Sequence, residues 1–349
     1  MSWPRKAAAI FVLSSCLIYL IGLGAVSALL WTSADQWWPA TFLSFAPLWA
    51  LAAPLILLVP LALIFHRWSI ITLAAAAAVL VWPILGLRIT LHSTPADEHA
   101  PFIRVVTCNM HRGQLNAAEF RAYLDELRPD VVALQDWTSK DQPKLFPPET
   151  WNTRRDGELF IASRFPFIET ESITLNEPPP VKFSIRLGAA AHYRLLTPLG
   201  AVSLINLHLS SPHAALDGMR GFDRTLPEQL TYNSHCRELE SATIEQFAEK
   251  LTDPVLIMGD FNTPVESILY RRYWDHLSNA FSVVGTGFGT THFSTSSSLR
   301  IDHILYGDAW QAKACWIGPA VGSPHHPLVA DLQPGADWPL FGPSADANR

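Results

Sequence analysis

Three long apolar runs with almost no charge, followed by short β-branched runs alternating with helical patterns, mark this 349-residue chain as an α/β protein. The architecture implied is a four-layer α/β sandwich, two packed sheets flanked by helices, preceded by three transmembrane helices. Polar residues sit repeatedly at the ends of the strand-like runs, where loop-borne chemistry collects. The expected division is 1–92 for the membrane anchor, 93–102 for a linker, 103–332 for the sandwich and 333–349 for a disordered Pro/Gly-rich tail.

The apolar runs occupy 7–31, 42–65 and 70–91, each long enough to span a bilayer as a helix. A cleaved signal peptide would use Arg5 and Lys6 as its basic start and Ala25-Val26-Ser27-Ala28 as its small residues. The first run is too long for that and two more follow, so it reads as a retained anchor. Arg5, Lys6, His66 and Arg67 flank what should be the cytoplasmic ends, and the connection 32–41 carries no Lys or Arg. Three crossings then place the sandwich outside the cytoplasm of a multi-pass protein of the cell (inner) membrane. Trp31, Trp37, Trp38 and Trp68 are placed as interfacial anchors, while Arg88 runs against the pattern. Pro47, Pro54, Pro60 and Pro83 would kink these helices. No acidic residue lies within any run, which leaves anchoring as the simpler role over ion transport.

After the linker, 103–108 reads as a buried strand. Asn116 and Glu119 have capping-box spacing, and Phe120, Tyr123, Leu124 and Leu127 recur at helical intervals until Pro129. Further strands are expected at 131–134, 159–162, 192–196, 201–207, 255–258, 301–306, 312–317 and 328–332, and helices at 228–250 and 265–277. Long connections at 138–157, 175–184 and 210–227 are candidate functional loops. The formal charge of -6 and the lack of a Lys/Arg-rich run argue against a surface that tracks long nucleic acid. Cys108, Cys236 and Cys315 lack metal-ligand spacing and, being odd in number, leave at least one thiol unpaired.

Residues 258–264, Met-Gly-Asp-Phe-Asn-Thr-Pro, place a carboxylate and an amide on one turn after an apolar strand. A carboxylate can deprotonate a water, and an amide can donate to a phosphate oxygen without competing for the proton. Asn109, Gln135-Asp136 and His208 end other strands, and Arg300-Ile301-Asp302-His303 and Ser323-Pro324-His325-His326 follow. Asp302 is suited to hold an imidazole in one tautomer and to stabilise its protonated form. His292 and His303 read as packed residues.

This ordered set resembles the endonuclease/exonuclease/phosphatase superfamily. Its stations are matched at Asn109, Gln135-Asp136, Ser163-Arg164, Asn206-Leu207-His208, Gly259-Asp260-Phe261-Asn262, Arg300 to His303 and Ser323 to His325. The resemblance implies that Asp260 activates the attacking water and that Asn109, His208 and Asn262 bind phosphate. His325, oriented by Asp302, would oppose the developing charge, and Asp136 with Asn109 would hold Mg²⁺ or Mn²⁺. His325 is preferred over His326 because it keeps the family's spacing to Pro327 and the strand after it.

Two stations depart from the family. Asp136 stands for a metal-binding Glu, and Pro324 for the Asp preceding the catalytic His. The three spans together resemble bacterial membrane proteins linked to glycopeptide resistance, which act on lipid-linked phosphates. The implied function is a membrane-anchored, extracytoplasmic, metal-dependent phosphohydrolase acting on a phosphoester, a lipid-linked one being favoured, with the linker setting its reach. The alternatives are an extracytoplasmic nuclease, which isolated Arg154-Arg155 and Arg271-Arg272 pairs support poorly, and a non-catalytic module whose metal site has decayed.

Overall fold

The structure, a computed structural model, describes residues 3–90, 100–138, 142–176, 178, 186–218, 224–294 and 297–338. Most of the expected linker, most of the loop 175–184 and the end of the expected tail lie outside these residues.

Helices α1 (Trp3–Ser33), α2 (Trp38–Ser44), α3 (Ala53–Phe65) and α4 (Ser69–Val79) make up the N-terminal helical region. A 3₁₀ turn at Leu48–Ala52 extends α3, and a π turn at Leu80–Ile84 containing Pro83 extends α4. The run expected at 42–65 is broken: α2 ends at Ser44, and Pro47, with no N–H to continue a helix, precedes the next turn. Trp3–Ser33 and Leu48–Phe65 are long and apolar enough to cross a membrane, whereas Ser69–Ile84 is shorter than the expected 70–91.

Successive long helices alternate in direction, so α3 runs antiparallel to α1 and α4, and α1 and α4 run parallel. Val12 and Cys16 meet Ala62 and Leu73 near one end, and Leu23 meets Ala76, Leu80 and Ile84 towards the other. Their outer faces stay apolar and bare, with Ile10, Ile18, Ile56, Ile64 and Ile71 all exposed.

The sandwich contains β1 (Ile103–Asn109), β2 (Val131–Gln135), β3 (Asn152–Asp156), β4 (Leu159–Ser163), β5 (Phe167–Ile173), β6 (Ala189–Thr197) and β7 (Gly200–His208). It continues through β8 (Val255–Asp260), β9 (Ser278–Asn279), β10 (His292–Phe293), β11 (Ser298–Leu299), β12 (Asp302–Tyr306), β13 (Trp310–Ile317) and β14 (Leu328–Pro334). Its helices are α5 (Ala117–Leu127), α6 (Gln142–Leu145), α7 (His213–Gly218), α8 (Leu226–Ala248), α9 (Ile268–Tyr273) and α10 (Ala280–Val284). One sheet has the order β13-β14-β1-β2-β4-β3 and the other β5-β6-β7-β8-β12-β9, while β10 and β11 form a separate small hairpin.

Alternation along the strands explains the layers. Val105, Val131 and Ile161 face Leu204, Leu256 and Ile304 in the inter-sheet core. Their neighbours Val106 and Val132 face outward onto Phe120 and Leu124 of α5, and Ile205, Ile257 and Leu305 face Ile244 of α8 and Tyr270 of α9. Each sheet has one parallel pair, β1 with β2 and β7 with β8, so the C-terminal ends of those pairs gather polar residues at one rim.

The Asn116 side chain accepts from the Glu119 N–H and starts α5 as expected. The helix expected at 265–277 is confined to α9, where Ser267 caps the Tyr270 N–H at 3.1 Å. β14 reaches Pro334, and the Trp338 ring stands 4.6 Å from that of Trp310, so the expected boundary at 332 falls inside folded chain.

Side chains join the N-terminal helices to the sandwich directly. Arg237 of α8, fully buried, pairs with Asp35 of the α1–α2 connection at 2.8 Å and donates to the Asn262 carbonyl. Phe45 packs with Leu299 and Ile301, and the Arg271 guanidinium lies 3.7 Å above the Trp31 ring. Beyond the anchor, Arg88 and Gly287 exchange backbone hydrogen bonds of 2.8 and 2.9 Å.

Candidate active site

The site is assembled by register. His208 ends β7 opposite Asp260 of the parallel strand β8, and Asp302 opens the antiparallel β12 opposite Asp260. Gly259 permits this approach: a Cβ there would lie 1.9 Å from the Leu207 carbonyl oxygen. From the other sheet Asn109 reaches across, its Nδ2 donating to Asp260 Oδ2 at 2.8 Å. Asp136 and Asn262, just after their strands, take positive φ of 54° and 47°, a conformation Asp and Asn tolerate better than most. The turn at Asn262 brings its N–H to Asp260 Oδ1 at 2.9 Å.

Around Asp260, acids and bases alternate. His325 Nδ1 donates to Asp302 Oδ2 at 2.9 Å, leaving Nε2 3.8 Å from Asp260 Oδ2. On the other side His208 Nε2 is 3.6 Å from the same oxygen, and its Nδ1 donates to Glu158 Oε1 at 2.7 Å. Glu158 shares Arg186 with Asp136, whose Oδ1 accepts from Arg186 Nη2 at 2.7 Å. The order is therefore Asp302, His325, Asp260, His208, Glu158, Arg186, Asp136. Asn109, Asp136, Arg186, His208, Asp260, Asn262 and His325 line one cleft of about 320 Å³.

The electrostatics separate the two imidazoles. Burial alone would lower the His325 pKa, but the facing Asp302 and Asp260 carboxylates overrule it and raise it to about 9. For His208 burial prevails over Asp260 and the pKa falls, so this ring is neutral near pH 7. Burial would also raise Asp136, yet the Arg186 hydrogen bond and charge hold it below the usual carboxylate value.

All the expected site residues meet here. The Asn262 side chain already donates to the Leu209 carbonyl at 2.8 Å, leaving one N–H of its amide for a ligand. His326 does not line the cleft; its N–H donates to Thr291 and its ring faces Phe293. His303 is enclosed by Phe261 and Tyr270 and bonded to the Thr263 carbonyl at 2.9 Å, and burial lowers its pKa to about 3. His292 packs edge-on against His325 at 4.6 Å and acts as its wall. Sequence reasoning missed Glu158 and Arg186. Glu158 lies in the tight turn between β3 and β4, neither of whose polar loops carries a motif.

A hard divalent cation fits the cleft wall at Asp136. Two carboxylates, Asp136 and Glu158, share a single guanidinium that is 41% exposed, which leaves oxygen donors and net negative charge beside the cleft. Asn109 Oδ1 accepts from the His111 N–H at 2.8 Å and keeps a second lone pair. A second donor group, Asp260, Asp302 and His325, has ligand atoms within 4.8 Å of one another. There His325 Nδ1 engages Asp302 Oδ2, while the buried Asp302 Oδ1 meets no hydrogen-bond donor.

The sequence profile of the Endonuclease/Exonuclease/phosphatase family matches residues 106–325. No curated protein gives a significant match. Among solved structures, a humanised D. rerio TDP2 carrying 14 mutations is 15% identical with a TM-score of 0.50, covering 66% of this chain and 99% of its own. The human Nocturnin catalytic domain with bound sulfate is 17% identical with a TM-score of 0.49, over 67% and 95%. An endonuclease/exonuclease/phosphatase from Beutenbergia cavernae is 17% identical with a TM-score of 0.48, over 67% and 72%. At such identities the TDP2 likeness speaks for the fold alone.

Proposed function

Because this chain belongs to the Endonuclease/Exonuclease/phosphatase family, we propose that its sandwich is a divalent-metal-dependent hydrolase held at a membrane and acting on a lipid-linked phosphoester. The observation that carries the reading is one carboxylate oxygen of Asp260 facing Nε2 of His208 at 3.6 Å and Nε2 of His325 at 3.8 Å in a polar cleft, with burial lowering the pKa of the first ring and the Asp302 and Asp260 carboxylates raising that of the second. In this reading Asp260 orients water and takes its proton. His325, held by Asp302, presents a charged N–H to the phosphoryl oxygens as negative charge grows on them. His208, fixed by Glu158, binds the phosphate with Asn109 and Asn262, and Arg186 meets it at the cleft mouth. Asp136 and the Asn109 side-chain oxygen would hold Mg²⁺ or Mn²⁺, which supplies charge neutralisation at the phosphate.

Membrane residence rests on the bare apolar faces of the helices, which in water would form a patch far larger than soluble monomers tolerate. Support for an extracytoplasmic sandwich comes from its docking on the α1–α2 connection and beside the end of the third helix. Arg5, Lys6, His66 and Arg67 belong to the opposite end of the antiparallel bundle. The shorter third helix is then read as a span under local thinning of the bilayer.

The test uses full-length protein in detergent with Mg²⁺ or Mn²⁺, offered lipid pyrophosphates, phosphodiesters, and single- and double-stranded DNA. Metal-dependent turnover of a lipid substrate is expected. Asp260→Ala and His325→Ala should each lower it by at least about a hundredfold, while His326→Ala retains it. Asp136→Ala should raise the Mg²⁺ required. Faster turnover of DNA would replace the lipid reading with the nuclease one, and a wild type silent on every substrate would remove catalysis altogether.

A further inference from the structure

A second cavity of about 350 Å³ lies where the anchor meets the sandwich. Leu48 and Trp49 from the start of the second long helix and Leu85 from the end of the third form one side, and Phe288, Glu266 and Arg300 belong to the other. It is separate from the active-site cleft, sharing none of its lining residues.

Arg300 is the anomaly. It is 9% exposed, and neither Nη1 nor Nη2 meets a hydrogen-bond acceptor. The Phe281 ring centroid stands 5.5 Å from its Cζ, and burial lowers its pKa. A guanidinium stays charged in proteins, and buried charge is retained only where a counter-charge meets it. Glu266 lines the same cavity and its charge opposes that lowering, but among the described residues no direct ion pair joins its carboxylate to the Arg300 guanidinium. The cavity thus offers one cation and one carboxylate, held apart, with an apolar side formed by the membrane-facing ends of two helices.

We propose that this cavity binds the headgroup of a zwitterionic aminophospholipid, its phosphate on Arg300, its ammonium on Glu266 and its acyl chains leaving past Leu48, Trp49 and Leu85 into the bilayer. Charge complementarity selects this occupant: an anionic headgroup would satisfy Arg300 but face Glu266, and an uncharged lipid would leave both unpaired. The proposal rests on the membrane reading of the anchor and is independent of which phosphoester the active site hydrolyses.

Native mass spectrometry of full-length protein from mixed micelles of phosphatidylethanolamine and phosphatidylglycerol tests it. Wild type should retain phosphatidylethanolamine in preference by at least about tenfold, since one well-placed charged contact is worth about that factor. Arg300→Met should lose the retained lipid, and Glu266→Gln should lose the preference between the two. Equal retention of both lipids by wild type, which needs no variant to fold, would overturn the proposal. So would displacement of the lipid by free phosphoethanolamine at equal concentration, which would mark a site for a soluble phosphate. Alkaline carbonate extraction separates the two readings: release of the protein from membranes defeats the anchor itself, whereas an integral protein without bound lipid defeats only this site.

Discussion

Two imidazoles face the same carboxylate oxygen, and their pKa values move in opposite directions. Burial lowers both, but at His325 the Asp302 and Asp260 carboxylates outweigh it, whereas at His208 burial prevails over Asp260 and the Arg186 charge adds to it. Turnover that needs the His325 imidazolium is complete below its raised pKa and is lost as pH rises through about 9. Asp302→Asn removes the first of the two charges that oppose burial, so the falling limb of the pH–rate profile should move to lower pH. A limb unmoved in that variant would show that another group titrates. Asp260, His325 and Asn109 were legible because each belongs to a short motif next to its own strand. Glu158 was not, since only the inter-sheet packing carries it to His208, fifty positions away in the chain.

The elements that sequence patterning captured are those buried on one or both faces. β1, β2, β7 and β8 are runs of apolar residues, and α5 carries its stripe between a cap and a proline. β3 and β5 escaped because they are edge strands whose exposed residues are polar, such as Arg154, Arg155 and Glu169. The helix at 265–277 was overextended because its apolar residues belong partly to a turn that packs Trp274 onto Phe261. Gly259 looked like one letter of a motif, yet it sets the spacing of two strands. Gly259→Ala puts a methyl within van der Waals overlap of the Leu207 backbone at a φ of 146°, so β7 and β8 must part where His208 and Asp260 face each other. A loss of roughly 4 kcal/mol or more follows from such backbone overlap, read as a fall in thermal midpoint together with activity. An alanine variant melting with the wild type would show that the pair can spread without cost.

At the scale of the whole molecule, the sequence suggested two bodies joined by a linker; the N-terminal helices end at Ile84, and the last strand of the sandwich runs to Pro334. Their fit to each other could not be read, because Asp35 and Arg237 are about two hundred positions apart and neither sits in a recognisable pattern. Both are buried, so Asp35→Ala leaves a guanidinium without counter-charge, and a destabilisation of about 3–5 kcal/mol is expected. Replacing the pair together, Asp35→Leu with Arg237→Met, should return much of it, as measured by thermal unfolding in detergent. Equal melting of Asp35→Ala and wild type would show that the contact contributes nothing. The same contact makes the anchor a ligand of the sandwich, present at the effective concentration that a covalent join provides. Cutting the chain between 91 and 99 would convert that association into a bimolecular equilibrium. Dilution would then become a variable of the protein's stability, and the severed sandwich would bind added anchor peptide reversibly, with an affinity that falls when Asp35 is replaced.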